Sequence, residues 1–180
     1  MTKDEMKKVV CQAIDEATEK IHETVLRIES EPELGYKETK TAAKVESYMK
    51  ELGLTPQTGL ALTGVKTCVD GGKKGPAVAV LAELDAVGTP DSPKADPLTG
   101  AAHTCGHFLQ MASMLAACTG IVKSDVMKDL AGSAVFFAVP AEEYVEIDYR
   151  KRLVKEGKIH FLGGKSELVY EGHLSLIHIS

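Results

Sequence analysis

Apolar residues at Met6, Val10, Ala13, Ile14, Ala17, Ile21, Val25 and Ile28 recur at steps of three and four, the spacing of one helical face. The pattern predicts a single long amphipathic helix. It stops at "EPELGYKET", where Pro32 and Gly35 break the periodicity. Beyond the break, Ala42, Val45, Tyr48, Met49 and Leu52 form the buried stripe of a second predicted helix, with Gly53 as its stop.

The spacing then changes to alternation. In "GVKTCVD", Val65, Thr67 and Val69 alternate with Lys66 and Cys68, as in a half-buried strand, and "GGKKGP" reads as a tight turn. "AVAVLAEL" is nearly all apolar, which suits a strand covered on both faces, and it ends at Asp85. The following "AVGTPDSPKADPLTGAA" is rich in Pro, Asp and Gly and predicts a long loop of the kind that carries function. Phe108, Met111, Ala112, Leu115 and Cys118 restore helical spacing, with Gly120 as the expected cap. "SAVFFAVP" is a second apolar strand, stopped by Pro140. Strand, loop, helix and strand in this order predict a crossover unit in an α/β fold with a parallel or mixed sheet.

Composition narrows the class. With 180 residues, 44% hydrophobic and 26% charged, the chain can bury one core. A net charge of -5 gives no electrostatic reason to expect nucleic acid or an anionic membrane surface. The basic run Arg150, Lys151 and Arg152 lies among Glu146, Asp148 and Glu156 and reads as a solvated helix face. No segment has the apolar length of a membrane span, and the N-terminus lacks an apolar signal core. Cys11, Cys68, Cys105 and Cys118 are scattered, so no disulfide framework is expected; a reduced, cytoplasmic protein is.

Candidate chemistry gathers in "AAHTCGHFLQ" and at the two strand ends. Parallel strands end along one edge of a sheet, where open α/β proteins bind ligands. Asp85 follows one strand, Glu142 and Glu143 follow the other, and Cys105 and His107 start the helix between them. A helix start favours the thiolate of Cys105. Thiolate, imidazole and carboxylate suit zinc, manganese or cobalt, and three ligands with open positions make a catalytic site. A neighbouring carboxylate without a ligand role can take a proton from the attacking water. Two further readings stay open on these residues: a cysteine hydrolase using Cys105 with His103 or His107, and a non-catalytic metal-binding protein.

Five blocks carry a resemblance: "EPELGYKET", "LALTGVKT", "ELDAV", "GAAHTCGH" and "FFAVPAEE". From about Ile21 to His173 the sequence resembles the di-metal peptidase and amidohydrolase family. That family includes the aminoacylases, carboxypeptidase G, indoleacetyl-amino-acid hydrolases and aminobenzoyl-glutamate hydrolases, and the branch using cysteine is the nearer match.

The resemblance implies a mixed α/β sheet flanked by helices, a zinc-peptidase-like catalytic domain, and a lid domain inserted later. It implies two divalent metals per complete site, zinc or manganese first, cobalt or nickel next. Cys105 is then the ligand shared by both metals, His107 a ligand of one and Glu143 of the other. Glu142 is implied as the general base and Asp85 as the carboxylate that orients the site from behind. The implied reaction is hydrolysis of the amide of an N-acyl or aroyl amino acid, or of a dipeptide-like substrate, by a homodimer joined through the lid.

Phe108 and Tyr144 depart from the family pattern, which has Asp or Asn and Gly there, while Glu83 stands where peptidase relatives place a histidine. Residues 1–173 are expected to be the N-terminal portion of the catalytic domain. "LSLIHIS", residues 174–180, resembles translated sequencing adapter and is expected to be a non-native tail, so His178 stays outside the ligand set.

Overall fold

The computed structural model describes residues 1–175. Helices α1 (Lys3–Glu16), α2 (Thr18–Glu29) and α3 (Thr39–Glu51) precede strands β1 (Gln57–Leu60), β2 (Gly64–Asp70) and β3 (Ala77–Glu83). The short strands β4 (Val87–Gly88) and β5 (Ala101–Ala102) pair to close the base of the predicted loop. Helix α4 (His107–Lys123), strand β6 (Ser133–Val139) and helices α5 (Ile147–Lys155) and α6 (Gly164–Tyr170) complete the order.

The main sheet runs β1-β2-β6-β3, with β3 parallel to β6 and the other pairs antiparallel. The β3–α4–β6 crossover is therefore present, in a mixed sheet flanked by helices. The turn "GGKKGP" does not join neighbours. It spans the start of β6, which lies between β2 and β3.

Strand β6 organises two cores. Phe136 and Ala138 point to α1–α4, packing with Val65, Met111, Met114 and Leu115. Phe137 and Val139 point the other way, toward Leu153, Ile159 and Leu168 of the α5–α6 layer. Strand β3 differs from the expected doubly covered strand: Val78 is 62% and Leu81 37% exposed, because β3 forms one edge of the sheet.

Two helical expectations are corrected. The predicted first helix is broken at Ala17 (φ -102°, ψ 1°) into α1 and α2. Thr18 Oγ1 donates back to the Ile14 carbonyl at 3.2 Å, a bond that bends helices. The bend lets both halves of the apolar stripe lie against α4. Gly120 is not a cap, since α4 runs on to Lys123. It marks a close approach instead: a Cβ there would stand 2.9 Å from Val10 and Ile14 of α1. No helix among the described residues is long and apolar enough to cross a membrane.

Candidate metal centre

Register brings the acidic strand ends together. Glu83 pairs with Val139, and the Leu84 amide donates to the Val139 carbonyl at 2.9 Å, so both strands finish at one level. Asp85 and residues 141–143 therefore emerge side by side. Helix α4 packs on β3, with Met111, Met114 and Leu115 fully buried in the core, and its first residue, His107, meets both strand ends.

His107 is the hub. Its Nδ1 lies 2.9 Å from the Asp85 carbonyl oxygen and 3.3 Å from Asp85 Oδ1. Its Nε2 faces Glu83 Oε2 at 3.1 Å, Glu142 Oε2 at 3.8 Å and Glu143 Oε1 at 3.9 Å. Asp85 is fully buried, and its Oδ2 accepts from the Glu143 amide at 2.9 Å. Cys105 Sγ points at the same Asp85 carbonyl, 3.9 Å away. Burial opposes charge on the imidazole. Hydrogen bonds to Asp85 and Cys105 outweigh it and raise the His107 pKa to about 11.

Two donor sets result. One donor atom each from Cys105, His107 and Glu143 lies within 4.8 Å of the others, and the same holds for Glu83, His107 and Glu142. With Nδ1 engaged by Asp85, Nε2 is the nitrogen turned to the cluster. A thiol, an imidazole and carboxylates around one point form a cation-binding chemistry. His103 does not join them. It is buried, and burial first, then the charge of His107, push its pKa down to about 4.

Three residues here escaped the sequence reading. Arg150, expected on a solvated helix face, is fully buried. Its guanidinium donates to the carbonyls of Ala141 (3.3 Å), Leu162 (2.7 Å) and Glu143. Polar neighbours at 151 and 152 masked it, since α5 does present those to solvent. Lys165, at the start of α6, ion-pairs with Glu83 and approaches Glu142 Oε1 at 3.9 Å. Glu38 is buried and accepts from Thr63 Oγ1 and from the Ala141 amide, both at 2.7 Å.

The "EPELGYKET" motif, which breaks the helical pattern and carries part of the resemblance, also has a structural role. The Glu33 carboxylate caps α3 through the amides of Lys40 and Thr41, at 3.1 and 2.8 Å. The Glu33 carbonyl takes the Ala86 amide at 2.8 Å, and Leu34 bridges to Ala86. Residues 33–38 thus tie the start of α3 to the ends of β3 and β6.

Fold and site together define an α/β domain with a thiol, imidazole and carboxylate cluster at its strand ends. No protein-family model matches the chain. Among curated proteins, it is 32% identical over 142 residues to YhaA of Bacillus subtilis, a protein named as an amidohydrolase, covering 77% of this chain and 35% of YhaA. It is 31% identical to IAA-amino acid hydrolase ILR1-like 4 of Arabidopsis thaliana, covering 65% of this chain and 27% of that one. In fold it resembles the YXEP protein of Bacillus subtilis, a dinuclear metal-binding peptidase of the M20 family. The TM-score is 0.61 and the identity 24%, over 77% of this chain and 39% of that one. In sequence the chain is similar to these hydrolases and in fold to this peptidase, and it spans about a third of the length of the curated relatives it matches.

Proposed function

We propose that the protein is a metal-dependent amidohydrolase acting on N-acyl or aroyl amino acids, and that residues 1–173 are the N-terminal portion of its catalytic domain. The observation that carries the proposal is the convergence of Cys105, His107 and Glu143 on one point, with His107 Nδ1 held by Asp85. The relatives named as an amidohydrolase and as a hydrolase of IAA-amino acids support the substrate class. The adapter reading of residues 174–180 falls, for 176–180, outside the described residues.

The donor set fits two divalent metals of the zinc or manganese type. It offers one soft sulfur donor able to bridge, one imidazole whose other nitrogen is already engaged by Asp85, and carboxylate oxygens within 4.8 Å of that imidazole. Cys105 would be shared, His107 would serve one metal and Glu143 the other. Bound metal supplies Lewis-acid polarisation of the amide carbonyl.

The protein's own groups do the rest. Glu142 projects from the same turn as Glu143 and keeps a partly exposed carboxylate, 3.8 Å from His107 Nε2. It accepts a proton from the attacking water and returns it to the departing amine nitrogen. Asp85 stays buried and fixes the imidazole tautomer. A cytoplasmic location and a dimer formed through a lid domain belong to the same proposal.

The test is metal analysis of the purified chain after dialysis against zinc or manganese, beside the Cys105→Ser variant. The complete protein is then assayed on N-acyl amino acids with and without chelator. Equal metal content in both proteins, or hydrolysis indifferent to chelator, would sink the proposal.

A further inference from the structure

The turn that presents Glu142 and Glu143 is gripped through its backbone. Ala141 has φ +50°, the left-handed region that a residue with a Cβ occupies only when its surroundings hold it there. Its amide donates to Glu38, and its carbonyl accepts from Arg150 and, at 3.1 Å, from the Gly164 amide. Two residues on, the Glu143 amide is fixed by Asp85 and the Glu143 carbonyl by Arg150. Both peptide ends of residues 141–143 are therefore anchored, and only the Glu142 and Glu143 side chains are left to reach the cluster.

Among the described residues, Arg150 is the one that binds both carbonyls. Its planar fork reaches Ala141, Glu143 and Leu162 together, which a lysine ammonium on a flexible stem cannot reproduce. The guanidinium lies over the rings of both Tyr36 (5.4 Å to the centroid) and Tyr144 (5.7 Å). Gly35 makes room for it, since a Cβ there would collide with the guanidinium and come within 2.9 Å of Ala141 Cα. A full positive charge is thus fully buried and used on main-chain oxygens, with no carboxylate among its hydrogen-bond partners in the described residues.

We infer that Arg150 is a positioning residue of the metal centre: it fixes the backbone of residues 141–143 so that the Glu143 carboxylate meets Cys105 and His107. The inference rests on the metal-binding reading proposed above. Groups that orient a ligand from behind change metal affinity by about 10- to 100-fold when altered. A merely structural residue lowers the melting temperature and leaves the affinity of the folded chain alone.

The experiment titrates cobalt(II) into the chain at a temperature well below melting, following the absorbance of the cobalt–thiolate bond to Cys105, for wild type, Arg150→Lys and the control Arg152→Lys. Arg152 lies on the same helix against Tyr149, away from the turn. Circular dichroism and thermal melting report the fold of each. Expected are a wild-type thiolate band, the same midpoint in Arg152→Lys, and a folded Arg150→Lys chain whose midpoint rises at least about 10-fold. A folded Arg150→Lys chain with the wild-type midpoint overturns the inference, and so does one that no longer folds, because Arg150 is then structural. Absence of a thiolate band in wild type overturns the metal reading itself, and this inference with it.

Discussion

On either side of residues 141–143 stand two groups of buried charge, and they are built in opposite ways. Behind the turn, Glu38 and Arg150 are fully buried, and both are hydrogen-bonded to backbone amides or carbonyls. In front of it, Glu83, Asp85, Glu142 and Glu143 crowd one imidazole, with Lys165 as the only ammonium in contact with them among the described residues. The first group uses its charge on the chain: the Glu38 carboxylate and both terminal nitrogens of Arg150 are hydrogen-bonded, while Arg150 Nε has no partner among the described residues. The second carries an excess of negative donors with free lone pairs, and this excess suits it to an added cation. Charge that the fold consumes can thus be told from charge that the fold leaves available.

The contrast breaks most sharply at Glu142. In the complete protein Glu142→Gln should bind metal as wild type does while turnover falls by about 10²- to 10⁴-fold, because an amide cannot accept the proton. Activity near normal in that variant, measured on an N-acyl amino acid, removes Glu142 from the chemistry.

Next in size is Cys105→Ser. Metal content after dialysis should fall from the wild-type value, with affinity lowered by at least the roughly 10- to 100-fold seen for groups that only support a ligand. Unchanged stoichiometry with loss of rate alone would instead point to a cysteine nucleophile.

Glu38 tests the first group through pH. Burial raises its pKa to about 7, against the opposing hydrogen bonds from Thr63 and Ala141. The folded chain therefore holds this proton more tightly than the unfolded chain does. That contribution is complete below the ordinary value of 4.5 and is lost as pH rises toward 7. Glu38→Gln should flatten this part of the stability profile, followed as melting temperature from pH 4 to 8. A slope identical to wild type would show that Glu38 is not its source.

The smallest expected effect is at Lys165. The Lys165 end of its ion pair with Glu83 is 44% exposed, so Lys165→Gln should tighten cobalt binding only about two- to fivefold, in line with the modest strength of such pairs. Weaker binding in that variant would mean that the ammonium supports the cluster and does not compete with a cation.

Much of this arrangement is legible in the sequence because it is local. Alternation and helical spacing locate β2, β3, α4 and β6, and the crossover rule brings Asp85, Cys105, His107, Glu142 and Glu143 to one edge. What escapes is set by distant partners. Arg150 sits in a run of charges that matches a solvated face, and its burial depends on carbonyls at 141, 143 and 162 together with the space at Gly35. Lys165 meets Glu83 across 82 residues. The bend at Ala17 is invisible to periodicity because the apolar stripe continues straight through it. The exposure of β3 follows from sheet order, which its apolar composition does not encode.

That exposed edge bears on how the chain behaves in concentrated solution. Among the described residues, β3 pairs with a strand on one side only, and Val78 and Leu81 leave its outer region greasy. No proline or lysine interrupts residues 77–83. Open edges of this kind recruit strands from other molecules unless they are blunted or covered. The unpaired backbone groups of β3 thus offer a place where a further strand can add to the sheet.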